Sequence, residues 1–111
     1  MYSINFSYNW NNKLHCKAFT TLRLRNDSKY FTNNAYAITL TLKGKQPETL
    51  GTAICVAIKH IKISQLTEFI AHVDTGYSKA ECESILKRMY ANSNIDWDKQ
   101  ELSLILLKYN K

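Results

Sequence analysis

Glycine and proline are scarce in this chain of 111 residues, with three of the first and one of the second, so collagen-like, low-complexity and disordered readings are excluded. Glycine-rich phosphate loops are excluded as well, because Gly44, Gly51 and Gly76 stand far apart. Cysteine is equally sparse. Cys16, Cys55 and Cys82 are odd in number and widely spaced, which supports neither a disulfide framework nor a zinc knuckle. His15, His60 and His72 have no partner at metal-ligand spacing, so no metal and no cofactor is expected. No apolar run approaches the roughly 20 residues that span a bilayer, and the first 15 residues lack a basic start followed by a hydrophobic stretch. The expectation is one soluble, cytoplasmic domain over residues 1–111, without a membrane partner.

What is present is a surplus of positive charge. Fifteen Lys and Arg face nine Asp and Glu, giving a net charge of +6. The surplus belongs to residues 1–63, where nine basic side chains meet only Asp27 and Glu48; residues 64–111 are close to neutral. A field of that sign favours an anionic partner such as nucleic acid.

The hydrophobic pattern predicts mostly strands. Tyr2, Ile4, Phe6, Tyr8 and Trp10 alternate with polar residues, and Asn11-Asn12 suits a tight turn, so a hairpin returning over residues 13–17 is expected. In the next strand Thr20, Leu22 and Leu24 share one face, and Phe19, Thr21, Arg23 and Arg25 share the other. Residues 26–35 read as a loop, and Tyr36, Ile38, Leu40 and Leu42 as a further strand. In Gly51–Ile63 the apolar phase runs Ile54, Val56, Ile58 and then Ile61, Ile63, which predicts a bulge near Lys59 and His60.

Two helices follow. Leu66, Phe69, Ile70 and Val73 recur at helical spacing behind Ser64 as N-cap, predicting a helix over 65–74. Ser78 and Glu81 form a capping box for a second helix over 79–90 that buries Cys82, Ile85, Leu86 and Met89. Leu102–Tyr109 reads as a central closing strand. The fold class is therefore α+β and β-dominated: a twisted barrel of five to six mostly antiparallel strands with two short helices. Strand counting leaves OB-like, SH3-like and PUA-like barrels open.

One stretch places an amine, hydroxyls and a guanidinium along a single strand in the basic half: Lys17, Thr20, Thr21 and Arg23. Asp74, in a turn between the helices, offers a carboxylate. On spacing alone these residues are more simply a solvated strand face and a loop acid near a helix start. The Lys-Thr-Arg strand, the run Asp74-Thr-Gly76-Tyr77-Ser78, a helix ending in Met89-Tyr90 and a terminal hydrophobic strand together resemble the ASCH domain, a branch of the PUA-like fold, over about residues 17–109.

That resemblance implies a PUA-like barrel with a basic cleft between barrel and helices, binding RNA or a modified nucleoside. In some small members it implies an amidohydrolase that deacetylates N4-acetylcytidine. Thr21 then matches the nucleophile, Lys17 its activating amine and Asp74 the assisting acid, with Arg23, Arg25, Tyr77 and Tyr30 as nucleoside or RNA contacts. Two departures stand out. Lys17 lies four residues before Thr21, where the family has three, and roughly 13 Å of regular strand would separate them. Asp74 is one methylene shorter than the family's glutamate. The alternatives to recognition are thus the amidohydrolase and a protein-interaction module.

Overall fold

The computed structural model describes residues 1–110. Five strands, β1 (Tyr2–Phe6), β2 (Ala18–Leu24), β3 (Ala35–Leu40), β4 (Glu48–Lys62) and β5 (Glu101–Tyr109), form one sheet in the order β1-β3-β4-β5-β2. All neighbours are antiparallel except β1 and β3, which run parallel. The sheet curls into a half-barrel, and α1 (Glu68–Thr75) and α2 (Lys79–Met89) lie between β4 and β5 in the chain. The α+β, sheet-dominated class expected from the pattern is what the chain adopts, with five mixed strands. No helix among the described residues is long and apolar enough to cross a membrane.

Two apolar clusters occupy the two faces of the sheet. Phe19 of β2 and Ile105 and Leu107 of β5 join one, around a fully buried Tyr36, while Leu22 and Leu102 join the other, against Ala71, Cys82 and Leu86 of the helices. Strand alternation sends odd positions of β2 and β5 one way and even positions the other. In β4 the register shifts between Cys55 and Ala57, so Ala53 and Cys55 pack with the first cluster and Ile61 and Ile63 with the second. A bulge is therefore present at Val56, three to four residues earlier than the apolar phase suggested. It leaves Val56 exposed, since an inserted residue belongs to neither face. The Tyr36 hydroxyl is satisfied in the core, donating to the Lys29 carbonyl at 2.6 Å and accepting from the Phe31 amide at 3.1 Å.

The expected N-terminal hairpin does not form. β1 ends at Phe6 and pairs with β3, and residues Trp10–His15 fold into consecutive 3-10 turns. Asn11 and Asn12 do adopt positive φ, 56° and 53°, but each sits inside those turns and not at the tip of a hairpin. Asn9 decides the outcome. Its side-chain oxygen accepts the Leu14 amide at 2.9 Å and its amide donates to Asn12 Oδ1 at 3.1 Å, which closes the segment on itself.

The first helix also starts later than expected, because Ile63–Gln65 forms a separate 3-10 turn and Thr67, not Ser64, accepts the Ile70 amide as N-cap. Its stripe is only partly buried. Leu66 is inside, but Phe69 is 79% exposed and Val73 48% exposed, because one side of α1 faces no other element. The second helix begins as predicted on the Ser78–Glu81 capping box, and its terminal Met89 is exposed rather than buried.

Candidate functional site

The seam of the half-barrel lies between edge strands β1 and β2, and side chains close it. Phe6 and Phe19 meet edge to face with ring centres 6.0 Å apart. The Arg23 guanidinium lies 4.7 Å from the Phe6 ring centre and donates to the Asn5 carbonyl at 2.9 Å. A cation over an aromatic face that also satisfies an edge carbonyl ties the two strands together without a ladder.

Below this seam the 3-10 segment meets the end of α1. Gly76 ends the helix with φ 80°, and the Asn11 side-chain amide donates to the carbonyls of His72 and Val73, at 3.4 Å each. A Cβ at Gly76 would stand 3.1 Å from Asn11 Oδ1, so glycine both permits the left-handed turn and leaves room for the asparagine. Asn11 thereby fixes the helix end beside the next side chain but one, Lys13. The Lys13 ammonium donates to Asp74 Oδ1 at 3.0 Å, and the Thr20 hydroxyl donates to the same oxygen at 2.8 Å. The side chains of Lys13 and Asp74 are only 7% and 6% exposed. Burial lowers the Lys13 pKa below its ordinary 10.5, a shift opposed by the charge and hydrogen bond of Asp74 and assisted by the nearby Arg23.

Asp74 also acts on the opposite side. The Cys82 thiol is pushed up to about 11, first by burial and then by the Asp74 carboxylate. Cys82 is therefore a packed thiol and not a nucleophile at neutral pH.

Two cavities flank the cluster. On the seam side a small pocket of about 60 Å³ is lined by Lys13, Thr21, Arg23, Asp74 and Cys82 among others. Thr21 Oγ1 accepts the Arg23 Nε–H there at 3.1 Å. Since a water needs roughly 10 to 15 Å³ on this measure, the pocket has room for a few waters. On the other side a groove of about 440 Å³ between β2 and α1 is lined by Lys13, Phe19, Thr20, Val73 and Leu106 among others. That size suits a small ligand, for which sites of roughly 300 to 1,000 Å³ are usual. Thr20 is half-buried and Thr21 buried, so the groove reaches the first hydroxyl and the pocket the second.

The structure thus brings together Thr20, Thr21, Arg23 and Asp74 of the residues singled out in the sequence, and places Lys17, Arg25 and Tyr30 elsewhere. Lys17 is exposed in a separate cavity with His15, Lys108 and Tyr109, and the amine at the cluster is Lys13. Arg25 lies at the far end of β2, held by Asp27 at 2.8 and 2.9 Å and by Glu101 at 2.9 Å. Tyr30 packs against Tyr36 with Lys29 over its ring, and Tyr77 packs edge-on against Trp10 at 5.9 Å. Trp10 lines the small seam-side pocket, so Tyr77 borders the site through it.

Lys13 and the role of Thr20 were missed in the sequence. Lys13 was assigned to a returning strand, and no periodicity links it to a threonine seven residues on; the positive-φ asparagines before it are the one local sign that the chain doubles back there. No group of three or more His, Cys, Asp or Glu gathers among the described residues. No protein-family model matches this chain, and no curated protein or solved structure matches it either.

Proposed function

We propose that this chain is a small amidohydrolase that removes an acyl group from an amine, with N4-acetylcytidine as the substrate that the ASCH resemblance implies. One observation carries the reading: a buried carboxylate, Asp74, holds an amine and a threonine hydroxyl on the same oxygen, and the residues that carry these two groups, Lys13 and Thr20, line a groove. A buried ion pair is a poor way to add stability, because desolvation offsets its attraction, so its retention beside a hydroxyl and a ligand-sized groove supports a chemical use.

The hydroxyl equipped for attack is Thr20, although the resemblance points to Thr21. Nucleophile and base must lie within hydrogen-bond reach, and Thr20 donates to Asp74 whereas Thr21 accepts from Arg23. In the proposed reaction Thr20 Oγ1 bonds to the acyl carbon as its proton passes to Asp74. The carbonyl oxygen gathers negative charge, which the Lys13 ammonium stabilises. The C–N bond then breaks and the leaving amine takes a proton from the cluster. Water next attacks the Thr20 ester, restoring the hydroxyl and releasing the carboxylic acid. A lowered Lys13 pKa suits this step, since an amine closer to neutrality returns a proton more readily.

The same surface has less to offer RNA recognition by Arg23 and Arg25. Both guanidiniums are engaged by protein acceptors, the first by Asn5 and Thr21 and the second by Asp27 and Glu101. The test is release of cytidine from N4-acetylcytidine. Wild-type protein is expected to turn the substrate over, and Asp74→Asn and Lys13→Met to lose at least a hundredfold in kcat, the scale of one general acid–base contribution. A folded wild type that releases no cytidine above background would overturn the reading for that substrate.

A further inference from the structure

We propose that the cavity lined by His15, Lys17, Lys108, Leu50 and Tyr109 is an anion site that takes a phosphate monoester. The cavity encloses about 490 Å³ and lies at the end of the half-barrel where β2 starts and β5 stops. It has two distinct walls. One carries three cationic or cation-forming side chains, His15, Lys17 and Lys108, all exposed at their tips. Among the described residues no carboxylate lines the cavity and none of the three enters an ion pair.

Lys13, Arg25 and Lys87, by contrast, each have an acidic partner. Basic side chains lining one cavity favour an anion with enough oxygens to meet several donors. A phosphate monoester has nearly two negative charges at pH 7 and three acceptor oxygens.

The other wall is apolar and held in place. The Tyr109 hydroxyl donates to the Leu14 carbonyl at 2.8 Å and its amide donates to the Lys17 carbonyl at 2.9 Å. Its ring lies against Gly51, where a Cβ would approach it to 3.3 Å. Leu50 packs beside it. A flat apolar body attached to the phosphate has a surface to cover, and inorganic phosphate alone leaves that wall bare.

Lys17, just before β2, and Lys108, near the end of β5, both line this cavity at the end of the sheet, although alternation along β5 turns Lys108 and Tyr109 to opposite faces. Ala18 stands opposite Lys108 in the β2–β5 ladder, and the Tyr109 amide bonds the Lys17 carbonyl, so the two amines start from neighbouring backbone positions. Cys16 lines both this cavity and the groove at Thr20, and Lys17 precedes Thr20 by three residues, roughly 10 Å of strand. A ligand with its phosphate among the lysines therefore has its remainder directed along that groove. This last extension rests on the amidohydrolase reading; the anion site does not.

The experiment is a titration of the wild-type protein, followed by backbone amide NMR shifts in low salt, with phenyl phosphate, inorganic phosphate, phenol and methyl phenyl phosphate in separate arms. Phenyl phosphate is expected to saturate shifts at Lys17, Lys108 and Tyr109 and to bind at least tenfold more tightly than inorganic phosphate or phenol. Lys17→Gln/Lys108→Gln, at two exposed positions, is expected to weaken it at least tenfold while the thermal midpoint stays unchanged. Absence of saturable shifts, or equal binding by the double variant, would overturn the proposal. Equal binding of phenol would reduce the cavity to an apolar cleft, and tighter binding of the diester would point to a nucleic-acid backbone instead; both outcomes contradict the monoester site. None of these arms depends on turnover, so a protein that binds phenyl phosphate and fails to hydrolyse N4-acetylcytidine would keep this site and lose the reaction.

Discussion

Two ion pairs stand near opposite ends of β2, and they differ in almost everything but formal charge. Lys13 and Asp74 are nearly fully buried, share Asp74 Oδ1 with the Thr20 hydroxyl, and border two cavities. Arg25 is more than a third exposed and meets Asp27 through two guanidinium nitrogens and Glu101 through the third, at the rim of an open cavity. Water screens the second set, so it holds a loop in place and contributes little else. The first set is out of water, where every change of proton or partner is felt strongly. Charge along the sequence cannot distinguish them, and the distinction lies in what the fold places above each one.

The largest expected effect comes from breaking the buried pair from one side. Asp74→Ala leaves the Lys13 amine without its partner and is expected to cost about 3 to 5 kcal/mol in urea unfolding. Replacing both members, Lys13→Met with Asp74→Leu, is expected to recover most of that loss, because two apolar side chains need no desolvation. A cost below about 1 kcal/mol for Asp74→Ala would place the pair in water and dissolve the contrast with Arg25.

A smaller effect sharpens the same contrast through pH. The folded-state pKa of Lys13 lies below 10.5, so between the two values the unfolded chain binds more protons than the folded one, and stability rises with pH in that window. Cys82 acts in the reverse sense above pH 9, since its folded pKa is raised to about 11. The Lys13 contribution is therefore read as the difference between Cys82→Ala and Lys13→Met/Cys82→Ala in urea midpoints from pH 7 to 10. The first is expected to gain stability relative to the second as pH rises. A constant difference would mean that the Lys13 amine titrates as it does in water.

The smallest effect belongs to the exposed set. Arg25→Ala is expected to leave the urea midpoint at moderate salt within error, and to leave any cytidine release unchanged. A marked loss of either would show that the rim ion pairs matter to the fold or to the site.

How much of this was legible in the sequence follows from how local each determinant is. The Ser78–Glu81 capping box, the Tyr36–Leu40 alternation and the apolar β5 are short-range signals, and the structure follows them. The β4 bulge was legible as a slip in phase but not in place, because Ile54, Val56 and Ile58 look like a core face while the smaller Ala53 and Cys55 in fact pack inside. Pairing of β1 with β3 was hidden, since Asn11-Asn12 suits a hairpin and a 3-10 turn equally well. Only the Asn9 and Asn11 side chains, reaching the Leu14 amide and the carbonyls of His72 and Val73, decide between them. The same uncertainty carried into the site: Thr21, Arg23 and Asp74 were found by resemblance, and Lys13 was masked by the hairpin expectation.

The central claim is that Asp74 activates the hydroxyl it touches, and the most direct measurement compares Thr20→Ala with Thr21→Ala. Both variants are assayed for cytidine release from N4-acetylcytidine, with folding followed by circular dichroism. Thr20→Ala is expected to abolish turnover, and Thr21→Ala to retain it at a rate reduced by less than tenfold, since the Thr21 hydroxyl lacks a carboxylate partner and accepts from Arg23. Loss of turnover in Thr21→Ala with activity preserved in Thr20→Ala would contradict the account.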